Sequence, residues 1–204
     1  MRGALSRCLA SLRREDGTVA IEALIVLPAL FALYVAVLVW FDAYRNNTLA
    51  MKATYTVSDI LSRQNSVDEA YMDGLNDLMT YLVPSLIEPR IRITSIIYDE
   101  DDPADGKYRL DWSYGTGGLD PLTQEDLDSD TAWMPIMGDD ESVIVTETQV
   151  LYNTAFNVGW GPQVWDNRMV TRPRFAPRLG LEGRPPPPDI EGDIDDEGDE
   201  TPAL

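Results

Sequence analysis

The sequence contains no histidine and only one cysteine, Cys8, among its 204 residues. Histidine is the commonest general base and a frequent zinc ligand, so its absence removes Ser-His-Asp catalysis and most zinc sites. Cys8 lies in the N-terminal leader, so residues beyond it carry no thiol and form no disulfide among themselves. The glycine-rich stretch 115–118 lacks the lysine of a phosphate-binding loop. We therefore expect neither an enzyme nor a bound metal or cofactor.

Basic residues are also scarce, with 16 Lys and Arg against 35 Asp and Glu and a net charge of −19. Nucleic-acid binding requires clustered cations that displace counterions from phosphates, so no nucleic-acid partner is expected. The first 17 residues are the exception, because they hold four arginines and two acidic residues. Short basic flanks of a membrane segment stay on the cytoplasmic side, which predicts a cytoplasmic N-terminus and a periplasmic C-terminus.

The longest apolar run extends from Thr18 to Phe41, with Glu22 as its only charge and Pro28 as its only helix-breaking residue. As a helix it would measure about 36 Å, enough to cross a hydrocarbon core of about 30 Å. A signal peptide has a shorter apolar core followed by small residues at a cleavage site, whereas polar residues follow Phe41. The run therefore predicts a single transmembrane helix.

The string from Asp16 to Pro28, DGTVAIEALIVLP, follows the basic leader and places Glu22 fifth after Gly17. This arrangement resembles the class III signal of type IV pilins. The acidic-Gly pair, the membrane Glu and the following Leu-Pro are more narrowly similar to the TadE/TadG-like minor pilins, or pseudopilins, of the Flp (tight adherence) pilus system. The resemblance covers about 30 residues. Ala23 stands where the major Flp pilins carry Tyr, which favours a minor pilin over the filament subunit.

The resemblance implies that a prepilin peptidase cuts after Gly17 and leaves Thr18 as the new N-terminus. It implies that the carboxylate of Glu22 pairs with the N-terminal ammonium of a neighbouring subunit, and that Pro28 belongs to the assembly motif. Other pilins and Tad assembly-platform proteins would be the partners, in the bacterial inner membrane or a surface pilus used in adhesion and secretion. The alternative for Glu22 is a carboxylate that reaches the lipid headgroups by itself.

Beyond the membrane helix, the pattern predicts an α+β domain with a sheet of about three to four antiparallel strands. The chain divides into a basic leader (1–17), the transmembrane helix (18–41), the periplasmic domain (42–179) and a disordered Pro-rich acidic tail (180–204). The predicted elements are the continuing helix to about Ser62, a second helix Ser66–Leu82, strands Arg90–Tyr98, Lys107–Tyr114 and Ser142–Tyr152, a short helix near Thr123–Leu127, and an edge segment Met169–Leu179.

Three features allow more than one interpretation. The acidic loop 99–106 is a solvated turn or a loose calcium site, although its spacing fails the EF-hand pattern. Trp112 is predicted in the core, whereas Trp160 and Trp165 are equally compatible with local packing and with a partner contact. The chain as a whole is interpreted as a minor pilin. The alternatives are a single-pass anchored periplasmic binding or scaffold module outside any filament and, less favoured, an anchored hydrolase.

Overall fold

The computed structural model describes residues 16–85, 87–100, 108–154 and 161–183, with side chains from residue 21 onward. The elements along this part of the chain are α1 (Asp16–Ser62), β1 (Ser66–Val67), α2 (Glu69–Leu82), β2 (Arg90–Tyr98), β3 (Tyr108–Gly115), α3 (Gln124–Ser129), β4 (Ser142–Tyr152), β5 (Gln163–Thr171) and β6 (Gly180–Leu181). The predicted long apolar helix, second helix and antiparallel sheet are confirmed.

The helix α1 has two halves with different surroundings. Its 47 residues give a length of about 70 Å at 1.5 Å per residue. The first half carries exposed apolar side chains, whereas the second half buries Ala50, Ala53, Val57 and Leu61 at helical spacing. This second half packs against β4, β5 and α2. Pro28 lies inside α1, and the helix continues through it.

The second helix begins later than predicted, because Asp68 is its N-cap. The Asp68 carboxylate accepts the backbone N–H of Tyr71 at 2.7 Å, which satisfies a donor that has no partner within the helix. The two preceding residues, Ser66 and Val67, are extended and pair in parallel with β6. The last helical residue is Leu82, two residues before Pro84, as the sequence predicts.

The main sheet has the strand order β3-β2-β4-β5, and every neighbouring pair is antiparallel. The bounds of β2 and β4 are those predicted. The edge strand β5 differs, because it spans Gln163–Thr171 rather than the predicted Met169–Leu179. Its residues pair along β4 from Tyr152 to Ile144. Proline has no N–H to donate, and Pro173 and Pro177 follow the strand instead of lying within it.

The other edge strand, β3, is capped by a side chain. The amide of Gln124 donates to the carbonyl oxygen of Tyr108 at 2.9 Å and accepts the N–H of Leu110 at 2.7 Å. A further strand added at this edge of the sheet would need the same carbonyl of Tyr108 and the same N–H of Leu110 for its own backbone hydrogen bonds. Gln124 is held in place because it opens α3, whose N-cap Thr123 forms a capping box with Asp126.

The sheet buries a separate apolar cluster on each face. The inner face, towards α1 and α2, contains Trp112 and Ile144 together with the buried stripe of α1. The outer face is covered by α3 and the segment before β4, which bury Ile96, Leu127 and Val145. The indole of Trp112 is 2% exposed, so its prediction as a core residue is confirmed.

The segment after β5 returns to the far end of α1 and closes the fold. The N–H of Arg174 donates to the last carbonyl of α1, Ser62, at 2.7 Å, and the Trp112 indole donates to the carbonyl of Leu179 at 2.8 Å. With β6 paired to β1, the packed domain extends to Leu181 and so passes the predicted boundary at 179. The remaining tail, 184–204, lies outside the described residues, as do 1–15 of the leader.

Candidate functional sites on α1 and on the sheet

The first half of α1 presents a long apolar surface. Leu24 is 74% exposed and Phe31 68% exposed, and nearly all side chains from residue 21 to 38 share this exposure. Among the described residues, α1 is the one helix long and apolar enough to cross a membrane. A helix of this composition near an N-terminus serves as a membrane anchor or as a signal sequence.

The predicted site residues lie along this half of α1 and not in a pocket. Gly17 and Thr18 lie at the start of the described part of α1. Glu22 follows about one turn later, is exposed, and has no ion-pair partner among the described side chains. Pro28 is also exposed. The carboxylate of Glu22 is thus accessible to another helix.

Exposed aromatic residues mark the other end of the apolar half. Trp40, Phe41 and Tyr44 are 70%, 67% and 71% exposed. Such residues concentrate at membrane–water interfaces, where their rings are partly apolar and partly polar. The rise from Glu22 to Trp40 is about 27 Å, close to the hydrocarbon thickness of about 30 Å. The aromatic group and Glu22 are therefore spaced to lie near opposite surfaces of one bilayer.

Two polar contacts attach α1 to the domain just beyond these aromatics. The Tyr152 hydroxyl, at the end of β4, donates to a carboxylate oxygen of Asp42 at 2.9 Å. The side-chain amide of Asn46 donates to the carbonyl oxygen of Pro84 at 3.1 Å. Burial, followed by the hydrogen bond to Asp42 and its negative charge, raises the pKa of Tyr152 to about 12. This hydroxyl stays protonated and keeps the contact at any physiological pH.

A charged cluster occupies the outer face of the sheet. Glu147 of β4 accepts Arg92 of β2 on one carboxylate oxygen at 2.6 Å and Arg168 of β5 on the other at 2.8 Å. The Arg168 guanidinium also lies 4.1 Å from the centre of the Trp133 ring. An open cavity of about 470 Å³ lies beside the cluster and is lined further by Asp166. These groups can bind polar ligands, but they include no evident nucleophile.

Sequence reasoning missed this cluster. Arg92 and Glu147 are 55 residues apart, and they meet because the β2–β4 register places them directly opposite each other. Alternation along β2 and β4 predicts which residues share a face. It does not predict which pairs lie opposite, because register depends on the whole sheet.

The candidate calcium loop is largely undescribed, and a neighbouring acidic turn is described in full. Residues 101–107, which include most of the candidate calcium loop, lie outside the described residues. The nearby turn 138–141 uses its carboxylates internally: Glu141 accepts the N–H of Gly138 at 2.8 Å and pairs with Arg172 at 2.6 Å. Over the described ranges, no group of three or more carboxylate or cysteine side chains converges on a point that would hold a metal ion.

For Trp160 and Trp165, the sequence is compatible with both local packing and a partner contact, and the structure describes only one of the two. Trp160 falls in the undescribed range 155–160. Trp165 is half-buried, and its ring centre lies 6.0 Å from that of Tyr152. Trp165 therefore packs locally, near the contact that attaches α1.

Comparisons with models of protein families, with curated proteins and with solved structures find no match to this chain.

Proposed function

We propose that this protein is a TadE/TadG-like minor pilin that contributes structurally to assembly or initiation of a Flp pilus. The observation that carries the proposal is the motif from Asp16 to Pro28 at the start of one continuous helix. Its apolar half is exposed, and its second half is fixed to a small α+β domain. Such a helix suits lateral packing against other pilin helices within a membrane.

In the proposed mechanism, peptidase cleavage after Gly17 creates an ammonium group on Thr18. The carboxylate of Glu22 on a neighbouring subunit pairs with that ammonium, because each charge offsets the cost of placing the other in a low-dielectric environment. Pairing fixes the axial register of two helices whose other contacts are apolar and weakly directional. Other pilins, the Tad assembly platform and the prepilin peptidase are the partners in this proposal.

Processing is tested by the intact mass of the protein from membranes of cells with and without the peptidase. A chain that begins at Thr18 only when the peptidase is present supports the proposal. A chain that retains residues 1–17 in both cells contradicts pilin-type maturation.

The role of Glu22 is tested with two matched variants. Glu22→Gln keeps the size and removes the charge, whereas Glu22→Asp keeps the charge on a shorter side chain. We expect Glu22→Gln to insert in the membrane and to lose pilus assembly, with partial function retained by Glu22→Asp. Normal pili in cells that carry Glu22→Gln would refute the ion-pair role.

The cluster of Glu147 with its two arginines favours a second candidate. In this alternative the protein is a single-pass anchored binding or scaffold module, and the cavity of about 470 Å³ beside Glu147 receives a polar segment of a periplasmic protein. This candidate requires neither cleavage after Gly17 nor a role for Glu22. The mass measurement and the Glu22→Gln phenotype therefore distinguish the two candidates.

A further inference from the structure

Exposed apolar side chains gather at the end of the domain from which the free half of α1 emerges. Tyr81 is 85% exposed and Ile87 and Val164 are each 51% exposed, at the end of α2, in the connection to β2 and at the start of β5. Tyr44 of α1 is 71% exposed at the same end. We call these four residues the collar.

The contacts between elements place the collar at a common level. Asn46 binds the carbonyl of Pro84, which lies between Tyr81 and Ile87 in the chain. The hydroxyl of Ser85 donates to the carbonyl of Leu151 at 2.9 Å, and Leu151 pairs with Val164 in the β4–β5 ladder. The collar residues therefore lie near the level of Asn46 along α1.

This level corresponds to the headgroup layer of a bilayer crossed by α1. Asn46 is five residues beyond Phe41, a rise of about 7.5 Å. The interfacial region on each side of the hydrocarbon core is about 5–8 Å thick. Tyrosine and aliphatic side chains are favoured at this depth, and the exposed Arg45 is positioned for lipid phosphates.

We propose that the collar rests in the headgroup layer of the outer leaflet and holds the domain at a fixed tilt on the membrane. The proposal rests on the membrane-anchoring part of the proposed function. It commits to a phospholipid surface as the occupant, because Tyr44 of the collar follows closely on Trp40 and Phe41, the last exposed residues of the apolar half of α1. The cavity beside Glu147 would then open at a constant height above the membrane.

The experiment uses the full chain with Cys8→Ser as background, reconstituted at high dilution in phosphatidylcholine–phosphatidylglycerol liposomes. Single cysteines at Tyr81 or Ile87 carry an environment-sensitive fluorophore. Matched controls are Ile136 and Phe175, which are 95% and 71% exposed but lie away from the collar. A label at Leu33 in the apolar half of α1 reports membrane insertion itself.

Fluorescence is quenched with lipids that carry a nitroxide near the headgroup for the labels on the domain, with lipids that carry it on the acyl chain for the label at Leu33, and, separately, with aqueous iodide. We expect lipid quenching to remove most of the signal at Tyr81→Cys, Ile87→Cys and Leu33→Cys and little at the two controls. Collar labels that behave like the controls, with Leu33→Cys still quenched, would overturn the collar and leave the anchor intact.

Two other outcomes are equally informative. Collar labels shielded from both quenchers would show that protein covers the collar, which also refutes a lipid contact. Loss of lipid quenching at Leu33→Cys would instead mean that α1 is not inserted. The membrane-anchored function would then fail together with the collar.

Discussion

The pair Thr54–Thr148 offers a quantitative test of how α1 is attached to the sheet. Both residues are almost fully buried, and their hydroxyl oxygens are 2.7 Å apart. The single hydroxyl proton of Thr54 goes to the carbonyl oxygen of Ala50 at 2.9 Å, so Thr148 is the donor between the two threonines. Thr148→Val removes this bond, and Thr54→Val leaves the Thr148 hydroxyl buried without its acceptor.

Each single variant should lower the free energy of unfolding by about 1–3 kcal/mol, with Thr54→Val the more severe. The double variant replaces both hydroxyls by methyl groups of similar shape and leaves neither of these hydroxyls unpaired. Its loss should therefore be well below the sum of the two, with a coupling free energy of about 1–2 kcal/mol.

The assay is urea unfolding of the full chain in detergent micelles, followed by tryptophan fluorescence, for the wild type and all three variants. Strict additivity in this double-mutant cycle would refute the proposed bond. A Thr56→Val variant serves as control, because the Thr56 hydroxyl is outside the core and donates only to its own helix, to Lys52 at 3.0 Å.

Four further variants test other parts of the domain. Gly115→Ala should destabilise it by about 1–3 kcal/mol, because the new methyl would lie 1.9 Å from a backbone oxygen of the following loop. Gly74→Ala in α2 meets no atom within 4 Å and should stabilise it by about 0.5–1 kcal/mol; equal effects in urea unfolding would refute this difference. The folded pKa of about 12 for Tyr152 lies above its ordinary value of 10.0, so its stabilising contribution is complete below pH 10 and is lost between pH 10 and 12. Tyr152→Phe should flatten this decline, and an unchanged alkaline profile would contradict the assignment. Glu147→Gln should lower the free energy of unfolding by about 2 kcal/mol, because Arg92 and Arg168 lose the negative charge that both contact. Unchanged stability would show that solvent screens the cluster.

The elements predicted well from the sequence are those whose pattern is set by one dominant environment. The strands β2 and β4 are rich in apolar and β-branched residues, because the sheet buries these central strands on both faces. In α1, the continuous apolar run predicts the half whose side chains are exposed, and the helical spacing of apolar residues after it predicts the half that packs in the core. The strand β5 was misplaced because Trp165, Asn167 and Met169 face one way and Asp166 and Arg168 the other, so neither face is uniformly apolar.

Short pairings between distant segments were not predictable in the same way. The two-residue strands β1 and β6 are more than 100 residues apart and carry no periodic signal. The sequence Ser66-Val67-Asp68-Glu69 predicts a capped helix start, but its first two residues form β1 instead. The start of a helix depends on which side chain reaches a free N–H, and here that side chain belongs to Asp68.

The candidate sites divide along similar lines. The stretch around Gly17 and Glu22 is local in sequence, so residue order alone is enough to predict it. The Glu147 cluster depends on strand register, and the collar depends on three contacts between separate elements. Neither leaves a recognisable string in the sequence, because its members come from different strands, helices and connections.

The capped edge of β3 has a consequence for crowding. Copies anchored in one membrane would all have the same orientation. The edge strand β5 of one copy would then lie antiparallel to the edge strand β3 of the next, and the sheets could pair into one continuous intermolecular sheet. Gln124 already occupies the backbone groups of Tyr108 and Leu110 that such joining requires. Self-association of a Gln124→Ala variant, compared with the wild type, would measure this barrier. In the proposed pilin assembly, copies would pack by their helices while each sheet remains separate.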